Sequence, residues 1–357
     1  MSNTLTIALA SLGGVVLAGV IAHGAWQARR ADPKRAERAP EPRIEPREPV
    51  MDDAPPPEDS GSSGTSLLAE LSVPAPERRA NRRVVPRLDA LIDSIAALTI
   101  EAPIAGAQVL AHLPTTRRAG GKTFMIEGLN SETGEWEPPA AGQRYGEFQA
   151  GVQLANRTGA LNEIEYSEFV QKVQAFADGL GAMADFPDML EAVAAARELD
   201  QFAGAHDAQL ALRLCSRGSA WSVGYIQQQA GRHGFVPGVV PGRLVMPAAE
   251  EGAPPVLTLS FDSQAALADD PNLAAVRDVT LSFDVPQTDP SAQPFAAWQS
   301  AALALAQAMD ATVVDDHGRT LGTESFVAIG DELGRLYATL EARELAAGSA
   351  AARRLFS

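Results

Sequence analysis

"ALALAQAMDATVVDDHGRTL", Ala302 to Leu321, changes period twice in a short space, and its reading decides the fold. Its first part closes the amphipathic run "QPFAAWQSAALALAQAMD", whose apolar spacing predicts a long helix. "ATVVDD" then predicts a short strand, and the polar "DDHGR" poses a choice between a catalytic cluster and a turn. Asp side chains bond their own backbone in turns, Gly318 tolerates positive φ, and Thr323 or Glu324 can cap a following helix. No nucleophile and no metal-ligand spacing surrounds the pair, so the stretch reads as helix, strand, turn, helix. His112, His206, His233 and His317 are scattered, and "AGGK", Ala119 to Lys122, lacks the spacing and the Ser/Thr of a phosphate loop. The expectation is a protein that is not an enzyme, with no cofactor, no metal and no small-molecule substrate.

Outward from this stretch, residues 204–345 alternate between strand and helix patterns. "AQLALRLCS" places Leu210, Leu212 and Leu214 on one strand face, and "SAWSVGYIQQQAGRHG" predicts a helix ended by Gly231 or Gly234. "GRLVMP", "PVLTLSFD" and "VRDVTLSFDVP" predict three more strands, the last with Val279, Leu281, Phe283 and Val285 on one side. "TESFVAIGDELGRLYATLEARELAAG" predicts the final helix, and 346–357 reads as a tail. Residues 85–203 show a similar order. Leu91 to Ile100 suits a strand, Ile104 to Leu113 a short helix, "KTFMIEGLN" and "GEFQAGVQLANR" strands, and "SEFVQKVQAFADGL" and "DMLEAVAAARELDQF" helices. The parallel order, with "AAARELDQFAG" loosely echoed by "EARELAAG", predicts two tandem copies of one α+β unit. Trp136, Tyr145 and Phe148 read as aromatics that stabilise a loop over the first sheet, with a second recognition surface as the alternative.

The formal charge of −16 argues against a nucleic-acid surface, because neutralising a polyanion takes clustered Lys and Arg. The single cysteine, Cys215, excludes an internal disulfide and a Cys-based zinc cage, and reads as a small strand residue. "LTIALASLGGVVLAGVIAHGAW", Leu5 to Trp26, carries no charge and would span about 33 Å as a helix, enough for a hydrocarbon core. Residues 1–28 are therefore expected to form a transmembrane helix. Arg29, Arg30, Lys34, Arg35 and Arg38 follow it, which places the N-terminus outside and the rest in the cytoplasm. Residues 29–84, with "PEPRIEPREPVMDDAPPPEDSGSSG", hold too few apolar side chains for a core and read as a disordered Pro-rich linker.

From about Ala208 to Leu340 the chain resembles the FtsZ-binding domain of ZipA-type bacterial cell-division proteins. "YIQQQAGRHGFVPG", "DVTLSFDVP" and "ALALAQAMDATVVDDHGRTL" carry the resemblance. It implies an antiparallel sheet with helices packed on one face, whose open face takes up the C-terminal tail of FtsZ at the inner membrane of the division site. The expected tail-binding residues are Leu244, Met246, Leu257, Leu259, Thr280 and Ser282, the last standing where the family carries a bulky aromatic. The alternative is a membrane-anchored scaffold that uses the same fold for a different division or envelope protein.

Overall fold

The structure, a computed structural model, describes residues 87–270 and 272–357. The membrane helix expected at 1–28 and the linker at 29–84 lie outside the described residues. Among the described residues no helix is long and apolar enough to cross a membrane.

Alternation of apolar side chains builds the strands of the first region. They are β1 (Asp93–Ala105), β2 (Arg118–Ala119), β3 (Lys122–Asn130), β4 (Trp136–Glu137), β5 (Arg144–Gln153) and β8 (Met183–Asp185). They form one antiparallel sheet in the order β2-β3-β5-β1-β8, with β4 beside β3. A two-stranded ribbon, β6 (Ala155–Asn156) and β7 (Gly159–Ala160), follows β5. The helices are α1 (Gly106–His112), α2 (Glu163–Leu180) and α3 (Met189–His206). Asn162 opens α2 with a capping box, its side chain accepting from the Glu165 N–H while Glu165 bonds back, and Gly181 closes it with φ of 65°. Asp188, set after Pro187, caps α3 by accepting from Leu190 and Glu191. Phe169, Val173 and Phe176 of α2 press on one side of the sheet, with ring centroids 5.6 Å apart for Phe124–Phe169 and 5.8 Å for Phe148–Phe176.

The second region contributes β9 (Gln209–Ser216), α4 (Val223–Arg232), β10 (Val236–Pro237), β11 (Arg243–Met246), β12 (Leu257–Ser260), a short α5 (Ser263–Ala266) and β13 (Asp278–Asp284). After β13 come α6 (Pro294–Met309), β14 (Ala311–Val314) and α7 (Thr323–Ala342). This sheet is also antiparallel, in the order β10-β11-β12-β13-β9-β14. In both sheets the strand that leads into the first helix lies between the last strand of the hairpin series and a short strand that follows a long helix. Val279, Leu281, Phe283 and Val285 are all buried, as their alternation predicts. Trp298 of α6 packs on Phe283 and Phe326 and donates its indole N–H to the Leu281 carbonyl at 3.0 Å. Trp221 donates to the Met309 carbonyl at 2.9 Å, so both buried tryptophans satisfy their one donor.

Residues 346–357, expected as a tail, instead end in a helix, α8 (Ala350–Leu355). Ala351, Ala352, Leu355 and Phe356 join Leu340, Leu345 and Ala347 in the core of the first region. Burying that apolar surface is what orders the segment. Arg354 of α8 pairs with Asp93 at 2.5 Å, and the Asp93 side chain has no exposed surface. The described residues belong to one compact unit.

Candidate peptide-binding face

Register decides which side of the second sheet each residue faces, because paired residues of antiparallel strands point the same way. Leu244, Leu259, Leu281 and Leu212 form one row across β11, β12, β13 and β9, and all four are buried against the helices. The adjacent row, Val245, Thr258, Ser282 and Ala211, points to the opposite side, as does the row Arg243, Ser260, Thr280 and Arg213. Arg243 and Ala211 are exposed and Val245, Thr258, Ser260, Thr280 and Arg213 half-buried, whereas the leucine row is buried, so among the described residues this is the more open face.

The six residues expected to share this face are therefore divided. Thr280 and Ser282 do lie on it, Thr280 half-buried and Ser282 at 9 % exposure. Leu244, Leu257 and Leu259 are buried in the core, and the half-buried Met246, paired with Leu257, packs on the same core. The correction follows from the two-residue period of a strand: choosing the wrong neighbour moves the whole set to the other side. For β12 the alternation of Leu257 and Leu259 with Thr258 and Ser260 carried the signal. For β11 it did not, since Leu244, Val245 and Met246 are all apolar.

The open face carries a groove of about 510 Å³ at its β10–β11 side. Its lining includes Pro237, Val239, Val240, Val245, Ala248 and Thr258, together with the charged Arg243, Glu250 and Glu251. Val239 is fully exposed and Val236 and Val240 are about half exposed, which leaves apolar surface facing water. The sequence reading missed these residues, although "FVPGVVPGR" shows valines held between two Pro-Gly turns. The hairpin has little freedom to change: Gly242 has φ of 77°, and a Cβ there would stand 2.7 Å from the Phe261 carbonyl oxygen. Gly238 donates its N–H to the Arg243 carbonyl at 2.8 Å. Glu250 is held by Arg353 of α8 at 3.0 Å, so the C-terminal helix also steadies the groove margin. Arg213 meets Asp278 at 3.5 Å, and its Nε is buried without a hydrogen-bond partner.

Elsewhere polar clusters serve the fold. Asp315 accepts from the main-chain N–H groups of His317 at 3.0 Å and Arg319 at 2.7 Å and from Arg319 Nε at 2.7 Å, while Gly318 takes φ of 80°. Desolvation pushes the Asp315 carboxyl up, but the Arg319 backbone and guanidinium and the His317 N–H together outweigh it and hold the group below its ordinary value. "DDHGR" is thus a turn. The N–H groups of Gly120 and Gly121 donate to Glu168 and Glu165 at 2.9 and 2.8 Å, so carboxylates of α2 already fill that cradle. The buried Lys122 donates to Asn156 and Thr158, and burial lowers its pKa. Among the described residues no group of three or more His, Cys, Asp and Glu is placed to hold a metal ion. Tyr145 is buried, accepts from the Ala140 N–H at 2.8 Å and donates to Glu137 at 3.0 Å, which pins the loop before β5.

No protein-family model and no curated protein matches this chain. Fold and face together define the class: an α+β protein whose described residues include two six-stranded antiparallel sheets, the second of which carries an apolar groove on the side opposite its buried leucine row.

Proposed function

We propose that this chain is a ZipA-type adaptor, anchored in the inner membrane by residues 1–28 and tethered by 29–84, that captures the C-terminal tail of FtsZ on the open face of the second sheet. The observation that carries the reading is the groove lined by Val239, Val240, Val245 and Thr258 on a sheet whose other side is fully packed. An exposed apolar groove of this kind suits an amphipathic or extended peptide that lays a few apolar anchors into it. The similar element order of the two regions, and the shared place of the strand that leads into the first helix, support descent from one duplicated unit, with the second copy as the binding module. Tethering is the mechanism. Many weak tail contacts along a polymer add up through high local concentration at the membrane, so modest affinity at each site suffices.

A second reading is a membrane-anchored scaffold for a different division or envelope protein. The polar middle of the face favours it: Thr258, Ser282, Ser260 and Thr280 lie where an apolar peptide would seat, and the groove is displaced toward β10. Titration of labelled FtsZ tail peptide against the full chain in lipid nanodiscs separates the two. Saturable binding that Val245→Asp abolishes, with the fold intact, supports the adaptor; no binding moves the reading to the scaffold.

A further inference from the structure

The first sheet has an open face too, and the chain itself lies on it. The side opposite α2 carries the rows Met125–Gly151–Ile95 and Glu127–Gln149–Ala97 across β3, β5 and β1. Before β1 the chain turns back at Asp89, whose carbonyl accepts from the N–H groups of Ile92 and Asp93 at 3.0 and 2.8 Å. This brings Arg87 and Leu88 over β5 and β3. Gly151 is the floor of their seat, because a Cβ there would overlap Leu88 Cδ2. The Leu88 N–H donates to Glu127 Oε1 at 3.1 Å, and Glu127, itself buried, is fixed by Gln149 Nε2 on its other oxygen at 2.8 Å. Arg354 donates to the Arg87 carbonyl at 3.0 Å, and the Arg87 guanidinium reaches Glu135 at 3.5 Å.

These are the features of peptide capture: a side-chain anchor on a bare backbone floor, a buried acceptor for a main-chain donor, and a donor for a main-chain acceptor. We propose that the open face of the first sheet is a second site for an extended segment, and that Arg87 and Leu88 occupy it in cis and keep partners off. The partner this site fits in trans has the chemistry of its present occupant: an extended Arg-Leu-like segment, basic then apolar. The inference does not depend on what the second sheet binds.

The test uses the full chain in nanodiscs and measures amide hydrogen exchange of the peptide spanning 84–92. Wild-type protein should protect the Leu88 amide, and both Leu88→Ser and Gly151→Val should speed its exchange by at least about ten-fold while the amides of β3 and β5 stay protected. Leu88→Ser changes only a surface segment, so it remains informative should Gly151→Val fold poorly. A labelled synthetic peptide of residues 84–91 is then titrated. It should bind the Leu88→Ser protein saturably, the wild type far more weakly, and the double variant with Gly151→Val not at all. Free-peptide exchange at Leu88 in the wild type overturns the cis occupancy, and an opened face that takes no peptide overturns the binding site. Neither arm contains FtsZ, so failure here is distinct from failure of tail capture.

Discussion

Both sheets set the strand that leads into the first helix beside a short strand that follows a long helix, and their open faces differ in their floor. Across the central strands of the first run Met125, Gly151 and Ile95, and across those of the second run Thr258, Ser282 and Ala211. A glycine leaves room for a side chain from elsewhere, and Leu88 takes it. A serine, paired with a threonine, leaves a shallow polar middle and pushes the apolar groove outward to the β10–β11 hairpin. An antiparallel sheet packed on one side always leaves this question of what covers the other. Here the first sheet carries Leu88 of the same chain against Gly151, and the second carries a groove lined by Val239, Val240 and Val245.

The largest expected effect falls on the first sheet. Arg354→Met strands the Asp93 carboxylate, whose side chain is fully buried, and should cost about 3–5 kcal/mol in urea unfolding. It also removes the donor to the Arg87 carbonyl, so it loosens the cis segment. If the cost stays under about 1 kcal/mol, in the range of a surface pair, the tie between α8 and β1 is not structural. Next comes the test of which side is which on the second sheet. Leu244→Ala should lose about 2–5 kcal/mol by opening a cavity in the core, whereas Val245→Ser, one residue on, should change stability by less than about 1 kcal/mol. A larger loss for Val245→Ser than for Leu244→Ala would mean that the two faces have been exchanged.

The smallest effect concerns the "DDHGR" turn and depends on pH. The folded-state pKa of Asp315 lies below its ordinary 3.8, so the stability it contributes is fully present above that value and is lost as pH falls through the lower folded-state pKa. Asp315→Asn should therefore be less stable than wild type by the same margin between pH 7 and 5, with the gap closing below about pH 3.8. Thermal melts at pH 7 and pH 3 check this. A gap that widens in acid would contradict the assigned hydrogen bonds.

Local pattern made most of the fold legible. "KTFMIEGLN" coincides with β3, Val279 to Phe283 alternate as β13 requires, and the turn at Asp315 to Arg319 follows from Asp and Gly chemistry. Long-range packing hid the rest. "AAARRL" is too short and too poor in large apolar side chains to announce a core helix, and Leu355 and Phe356 are buried only because they join the core of the first region, which includes Leu154 and Ala155. Glu127 alternates as an outward residue, yet it is buried because Leu88 and Gln149 close over it. The site was legible in its strands and not in its face. Three consecutive apolar residues in β11 leave the side undetermined until pairing with β12 sets it.

The most direct test of the central claim, that the second sheet offers a free peptide groove and the first a filled one, is a titration of labelled FtsZ tail peptide against three forms of the full chain in nanodiscs. The account predicts saturable binding by wild type, an unchanged affinity for Leu88→Ser, and a loss of at least about ten-fold for Val245→Asp. Binding that survives Val245→Asp, or that appears only when Leu88 is replaced, would place the tail on the first sheet and contradict the account.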